Sequence, residues 1–141
     1  MTRVLTMALV LGLGVAAGTA AAAPEIGGRW LTASGNLEVE IAPCGAELCG
    51  TVARVVANHS MSDPTKEMAD RPALGLAILT GFTPAGAGEW EGQIYDREHD
   101  KTYRCVMWLD ESGQLEVRPY IGIHLIGKTQ RWTRVAKAPP S

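Results

Sequence analysis

Hydrophobic positions along this chain follow two different patterns. Residues 4–15 form an apolar run, preceded by Arg3 and followed by small, alanine-rich residues. The run is too short to span a bilayer and has the make-up of a secretory signal. Cleavage is expected after Ala22, leaving a short segment, 23–26, ahead of the folded domain. From Gly27 onward apolar and polar residues alternate. Leu37-Glu38-Val39-Glu40-Ile41 does so strictly, which sends Leu37, Val39 and Ile41 towards a core and both glutamates towards water. The same reasoning predicts strands over 27–31, 37–41, 50–56, 76–82, 89–95, 102–109, 114–120 and 127–135. In the fifth, Trp90, Gly92 and Ile94 share a face; in the sixth, Tyr103, Cys105, Met107 and Leu109 do.

Polar and glycine-rich stretches punctuate these strands, at 34–36, 84–88, 96–101 and 110–113. Residues 57–72 break the alternation. There Asp63-Pro64 reads as a cap and first helical residue, so one helical turn is predicted over 65–69. Residues 122–125 read as a crossing, and the Pro-rich end, 136–141, as a disordered tail. About eight short strands with almost no helix need protection for their edges, and closure supplies it. The predicted fold is therefore all-β: a small antiparallel up-and-down barrel forming one domain over 27–135.

Composition narrows the function. Of 13 Lys and Arg residues, Arg3 leaves with the signal, so 12 basic groups face 15 acidic ones. That balance lacks the basic patch that neutralises phosphates, and nucleic acid is not an expected partner. No membrane span is expected in the mature chain. Trp30, Trp90, Trp108 and Trp132 supply much of a modest core. In an exported chain, three cysteines suggest one bridge and one leftover thiol. Cys44 and Cys49 flank a turn and form the natural pair. The rival reading is a metal site, but no other Cys or His pair has matching spacing, and no metal or other cofactor is expected. Cys105, on an apolar face, reads as a small hydrophobe.

Several segments then fit one pattern: Trp30-Leu31-Thr32, Ile41-Ala42-Pro43-Cys44-Gly45, Leu48-Cys49-Gly50, Arg71-Pro72-Ala73-Leu74-Gly75-Leu76, Trp90-Glu91-Gly92, Ile94-Tyr95-Asp96, Lys101-Thr102-Tyr103 and Gly127-Lys128-Thr129-Gln130-Arg131-Trp132-Thr133-Arg134. In these the chain resembles a family of small exported bacterial proteins, family twenty-one forty-seven of the domains of unknown function. The resemblance implies a lipocalin-like barrel in the periplasm or outside the cell, and no particular activity. Arg97 and His99-Asp100, Pro119 and His124 depart from the family pattern. More widely, Gly28-Arg29-Trp30 is similar to the first strand of the calycins, whose last strand carries an arginine over that tryptophan. Arg131 and Arg134 are the candidates. With Arg131 beside Trp30 as the structural pair, Arg134 is left for a ligand.

An eight-stranded barrel either fills with side chains or holds one small ligand. If Trp132 points inward, so do Gln130 and Arg134. One reading is a non-enzymatic binding module for a small hydrophobic or fatty-acid-like molecule. Its interior would be lined by Tyr103, Met107, Leu109 and Trp132, with Gln130 or Arg134 as polar anchor. The other is a filled barrel, plugged by Trp132, that acts through its surface in the cell envelope, with 121–126 as a candidate apolar patch. An enzymatic reading requires Asp96, His99 and Tyr103 to converge in a cleft. Turn chemistry alone accounts for those polar residues, and no catalytic motif accompanies them.

Overall fold

The alternation read from the sequence closes on itself. The computed structural model describes residues 12, 25–61, 65–68, 72–120 and 128–136. Their strands are β1 (Gly28–Leu31), β2 (Leu37–Cys44), β3 (Glu47–Val55), β4 (Ala77–Gly86), β5 (Glu89–Asp96), β6 (Lys101–Leu109), β7 (Leu115–Pro119) and β8 (Gln130–Arg134). Each pairs antiparallel with the next, and β8 returns to β1 through Trp30 opposite Arg134 and Leu31 opposite Thr133. The described residues contain no helix, and none therefore long and apolar enough to cross a membrane. The signal segment 1–22, the crossing at 122–125 with His124, and the tail at 137–141 lie outside the described residues, Gly12 apart.

Inward positions fill the axis. Trp30, Trp132, Phe82, Leu37, Met107 and Val117 are each less than 2 % exposed and belong to one continuous cluster. Bulky aromatics from opposite strands meet across an eight-stranded barrel because its bore is only wide enough for interdigitated side chains.

The structure changes several expectations. The ladder between β2 and β3 runs out to Cys44 opposite Glu47, so the turn is only Gly45-Ala46. The Cys44–Cys49 disulfide crosses this hairpin tip with its Cα atoms 5.8 Å apart. Closing so short a loop stabilises by about 2 kcal/mol. The double substitution of both cysteines by serine is accordingly expected to lower Tm by several degrees. An unchanged melting curve would show that the staple does not constrain the unfolded chain.

The helical turn expected over 65–69 is not formed by its described residues. Ser60 N–H donates to Lys66 O, Met68 N–H donates to Asn58 O, and His59 bridges Glu67. These backbone groups are spent on a narrow antiparallel strap, which leaves none for a helical turn. Glu38 is a second correction. It lies on the outer face, yet is only 6 % exposed, set in register between Leu31 and Arg54. An Arg54 guanidinium nitrogen lies 3.5 Å from its carboxylate. Alternation predicts the face of a residue and is blind to neighbours that cover it.

Cys105 is fully buried, and burial pushes its thiol up from 9.0 to about 12, partly offset by the Arg118 backbone N–H. Between those values the unfolded chain ionises and the fold does not. Stability from this thiol is thus intact below pH 9 and falls above it, by about 1.4 kcal/mol per pH unit. At pH 8, labelling by a thiol reagent is expected to proceed at the rate of unfolding. Immediate labelling of the native protein would contradict this.

Candidate functional site

Because the strands alternate in direction, the barrel has two dissimilar ends. One carries the segment before β1, the stapled β2–β3 tip, the β4–β5 and β6–β7 turns, and the close of β8. Here Trp30 donates from Nε1 to Ile26 O at 2.9 Å, and the Arg134 guanidinium lies 4.1 Å from the centre of the Trp30 ring. Arg134 also donates to the carbonyls of Gly27, at 2.9 Å, and Glu25. Gly28, at φ 111°, makes room for this: a Cβ there would sit 2.9 Å from an Arg134 nitrogen. The cation on an aromatic face, with its donors spent on carbonyls, seals this end.

Arg131, expected beside Trp30, lies elsewhere. It sits on the outer face, donating to Glu116 at 3.0 Å and standing 3.5 Å from Asp110. The Ser112 hydroxyl outweighs partial desolvation and, with backbone N–H groups and Arg131, holds the Asp110 carboxyl below its ordinary value. The structural arginine is Arg134, three residues on, because strand register and not residue type decides which guanidinium reaches Trp30. Arg134 is thereby engaged by the ring and by two backbone carbonyls.

The opposite end gathers the β1–β2 turn, the 56–76 connection and the β5–β6 turn. The strap is tied down from both sides. Asn36, wholly buried, donates to His59 O at 2.8 Å. Ser60 donates to Glu98, and Lys66 reaches Glu98 at 2.7 Å. Below it lies a cavity of about 110 Å³, walled by Met61, Ile94 and Pro119 and edged by Tyr95, Asp96, Tyr103 and Gln130. Tyr103 stands opposite Ile94 in the ladder, and Gln130 opposite Val117, which brings both to the inner face at this end.

Of the six residues expected to line a ligand, then, only Tyr103 and Gln130 meet in this cavity. Met107 and Trp132 are wholly buried in the packed core. Leu109 borders a separate crevice at the sealed end with Ile26, Trp90 and Trp108. Met61 and Pro119 were not anticipated. Met61 carries no signal in a stretch without periodicity, whereas Pro119 ends a predicted strand on its inner face. Trp132 donates from Nε1 to Gln130 Oε1 at 3.1 Å, tying the core to the cavity floor.

The polar β5–β6 turn organises itself. Asp96 accepts from the backbone of Glu98 and from His99 Nδ1, at 2.9 and 2.7 Å, and Tyr95 donates to Asp100 at 2.6 Å. Asp96, Glu98 and His99 form the group of possible metal ligands found among the described residues, with donor atoms within 4.8 Å. Lys66 already pairs with Glu98, and His99 Nδ1 already hydrogen-bonds Asp96. Asp96 and Tyr103 both border the cavity, while the His99 side chain is 57 % exposed. Of the three residues required for the enzymatic reading, Asp96 and Tyr103 line the cavity and His99 is absent from its described lining.

This closed, eight-stranded antiparallel barrel has a lipocalin-like fold. A solved protein from Helicobacter pylori that belongs to the lipocalin family has the same fold, with 20 % sequence identity, 78 % of this chain and 82 % of that one covered, and a TM-score of 0.59. The chain belongs to the DUF2147 family, described as an uncharacterized protein conserved in bacteria, which it matches over residues 28–134. None of the curated proteins matches it. The disulfide and the bacterial family are consistent with export, and the fold is consistent with a non-enzymatic protein.

Proposed function

We propose that this protein is an exported, non-enzymatic binding module that takes the apolar end of a small ligand at the indented end of its barrel. The observation that carries this reading is the cavity beneath the strap, with apolar walls and a few polar groups on one side. Export is supported by the charged, apolar and small-residue order of 1–22 and by the disulfide. At about 110 Å³ the cavity is smaller than sites that engulf whole ligands, at about 300 Å³ and above, so it receives one end of a molecule. A fatty acid threaded along the axis would have to displace Trp132 and Met107.

The filled axis also favours a second reading, a barrel that acts through its surface and holds no ligand. Leu74, 68 % exposed on the connection into β4, is the kind of residue such a surface presents. One experiment separates the two. Short-chain apolar compounds are titrated while amide NMR signals of Met61, Ile94 and Tyr103 are followed. Saturable shifts at these residues, lost in Met61→Trp while the rest of the spectrum is retained, are expected. Spectra unmoved by every compound would turn the assignment to the surface-acting barrel.

A further inference from the structure

We infer that the cavity selects a neutral hydrogen-bond acceptor, a carbonyl carried on a short hydrocarbon, over carboxylates. This rests on the cavity being a ligand site and adds the polarity of what it takes. An indole nitrogen can only donate. The 3.1 Å bond from Trp132 Nε1 therefore commits the oxygen of the Gln130 amide to the core. What remains on that side chain is its NH₂ group, which has no partner among the described residues. The Tyr103 hydroxyl likewise has none there.

The other polar groups on the rim are engaged. Tyr95 donates to Asp100, and Asp96 accepts from the Glu98 backbone and faces His99 Nδ1. The uncommitted functions facing a ligand are thus the Gln130 NH₂, which only donates, and the Tyr103 hydroxyl, which can donate or accept. A half-buried donor without an acceptor is costly, so an incoming oxygen is favoured. An ammonium would meet the Gln130 NH₂ donor but would be drawn to Asp96, so charge does not select against it. A carboxylate could accept, but it would sit beside Asp96, the one charged residue lining the cavity among the described residues, with no described lining cation to offset it. The Met61, Ile94 and Pro119 walls take the hydrocarbon. The volume of about 110 Å³ admits on the order of five or six non-hydrogen atoms.

The test uses three probes of matched size at neutral pH: methyl propyl ketone, pentylamine and butanoate. Each is titrated into the full protein and read through the cavity's amide signals. The ketone is expected to bind roughly tenfold more tightly than butanoate, the difference one well-placed hydrogen bond makes, while pentylamine reports the pull of Asp96. Gln130→Glu keeps an acceptor for Trp132 but replaces the NH₂ with an oxygen. It is expected to lose roughly tenfold for the ketone and to gain for pentylamine. Tyr103→Phe, which keeps the ring and removes the hydroxyl, is expected to weaken the ketone severalfold and serves if Gln130→Glu fails to fold. Equal binding of the ketone and butanoate, or ketone binding untouched by both substitutions, overturns the inference while leaving the cavity a binding site. No response to any probe overturns the binding reading and the inference together.

Discussion

Trp132→Ala is expected to cost about 4 kcal/mol and to leave little folded protein at room temperature if the starting stability is low in the usual range. The side chain is wholly buried, stands opposite Leu115 in β7, and shares one cluster with Trp30, Phe82 and Met107. Deleting the indole would leave a void in the narrowest part of a bore that cannot collapse, because the hydrogen-bonded ladders on either side hold the strands at fixed spacing. Urea unfolding followed by circular dichroism measures the change. Trp132→Phe retains most of the volume and should cost far less, while removing the N–H that orients Gln130. A small effect of the alanine substitution, below about 1 kcal/mol, would mean that the indole lines a space and does not fill one. The hollow-barrel reading would then return.

Gly92→Ala is the second large effect, expected at about 3 kcal/mol. Gly92 lies mid-strand in β5, opposite Cys105. A Cβ there would come within 2.7 Å of both the Phe82 ring and the carbonyl oxygen of Thr80. The ring is fully buried and the carbonyl belongs to the backbone of β4, so neither can step aside cheaply. The β4–β5 register slips between Thr80 and Thr83, around Gly81 at φ 68°, and that slip brings Phe82 across Gly92. Thermal melting of the variant should show a fall of ten degrees or more, on the scale of several degrees per kcal/mol for a domain of this size. An unchanged Tm would place the Phe82 ring elsewhere and call the β4–β5 register into question.

The two substitutions probe different kinds of information. The role of Trp132 follows from its position on an alternating strand in a barrel of eight, and was visible as one of two readings. The role of Gly92 was visible only as membership of a face with Trp90 and Ile94. Nothing local to Trp90-Glu91-Gly92 announces that a ring from the preceding strand lies on it. The same divide runs through the arginines of β8. Both were candidates for the cation over Trp30, and their charge and strand were equally legible. One residue of register puts Arg131 on the outside with Glu116 and turns Arg134 onto the ring.

By its pattern alone, the chain determined the all-β class, the number and order of strands, the inward set Leu37, Val39 and Ile41, the Cys44–Cys49 bridge and the closure of the last strand on the first. These depend on a two-residue period and on short-range spacing, which a linear chain carries in full. Tertiary structure alone decided that Glu38 is covered, that 58–60 pair with 66–68 in a strap, that the bore is filled, and that Tyr103 and Gln130 come together under Met61 while Met107, Leu109, Trp132 and Arg134 do not join them. Each of those outcomes depends on contacts between residues far apart in the chain and on register between strands. Covering and filling are properties of neighbours in space, and alternation along one strand says nothing about which neighbours arrive.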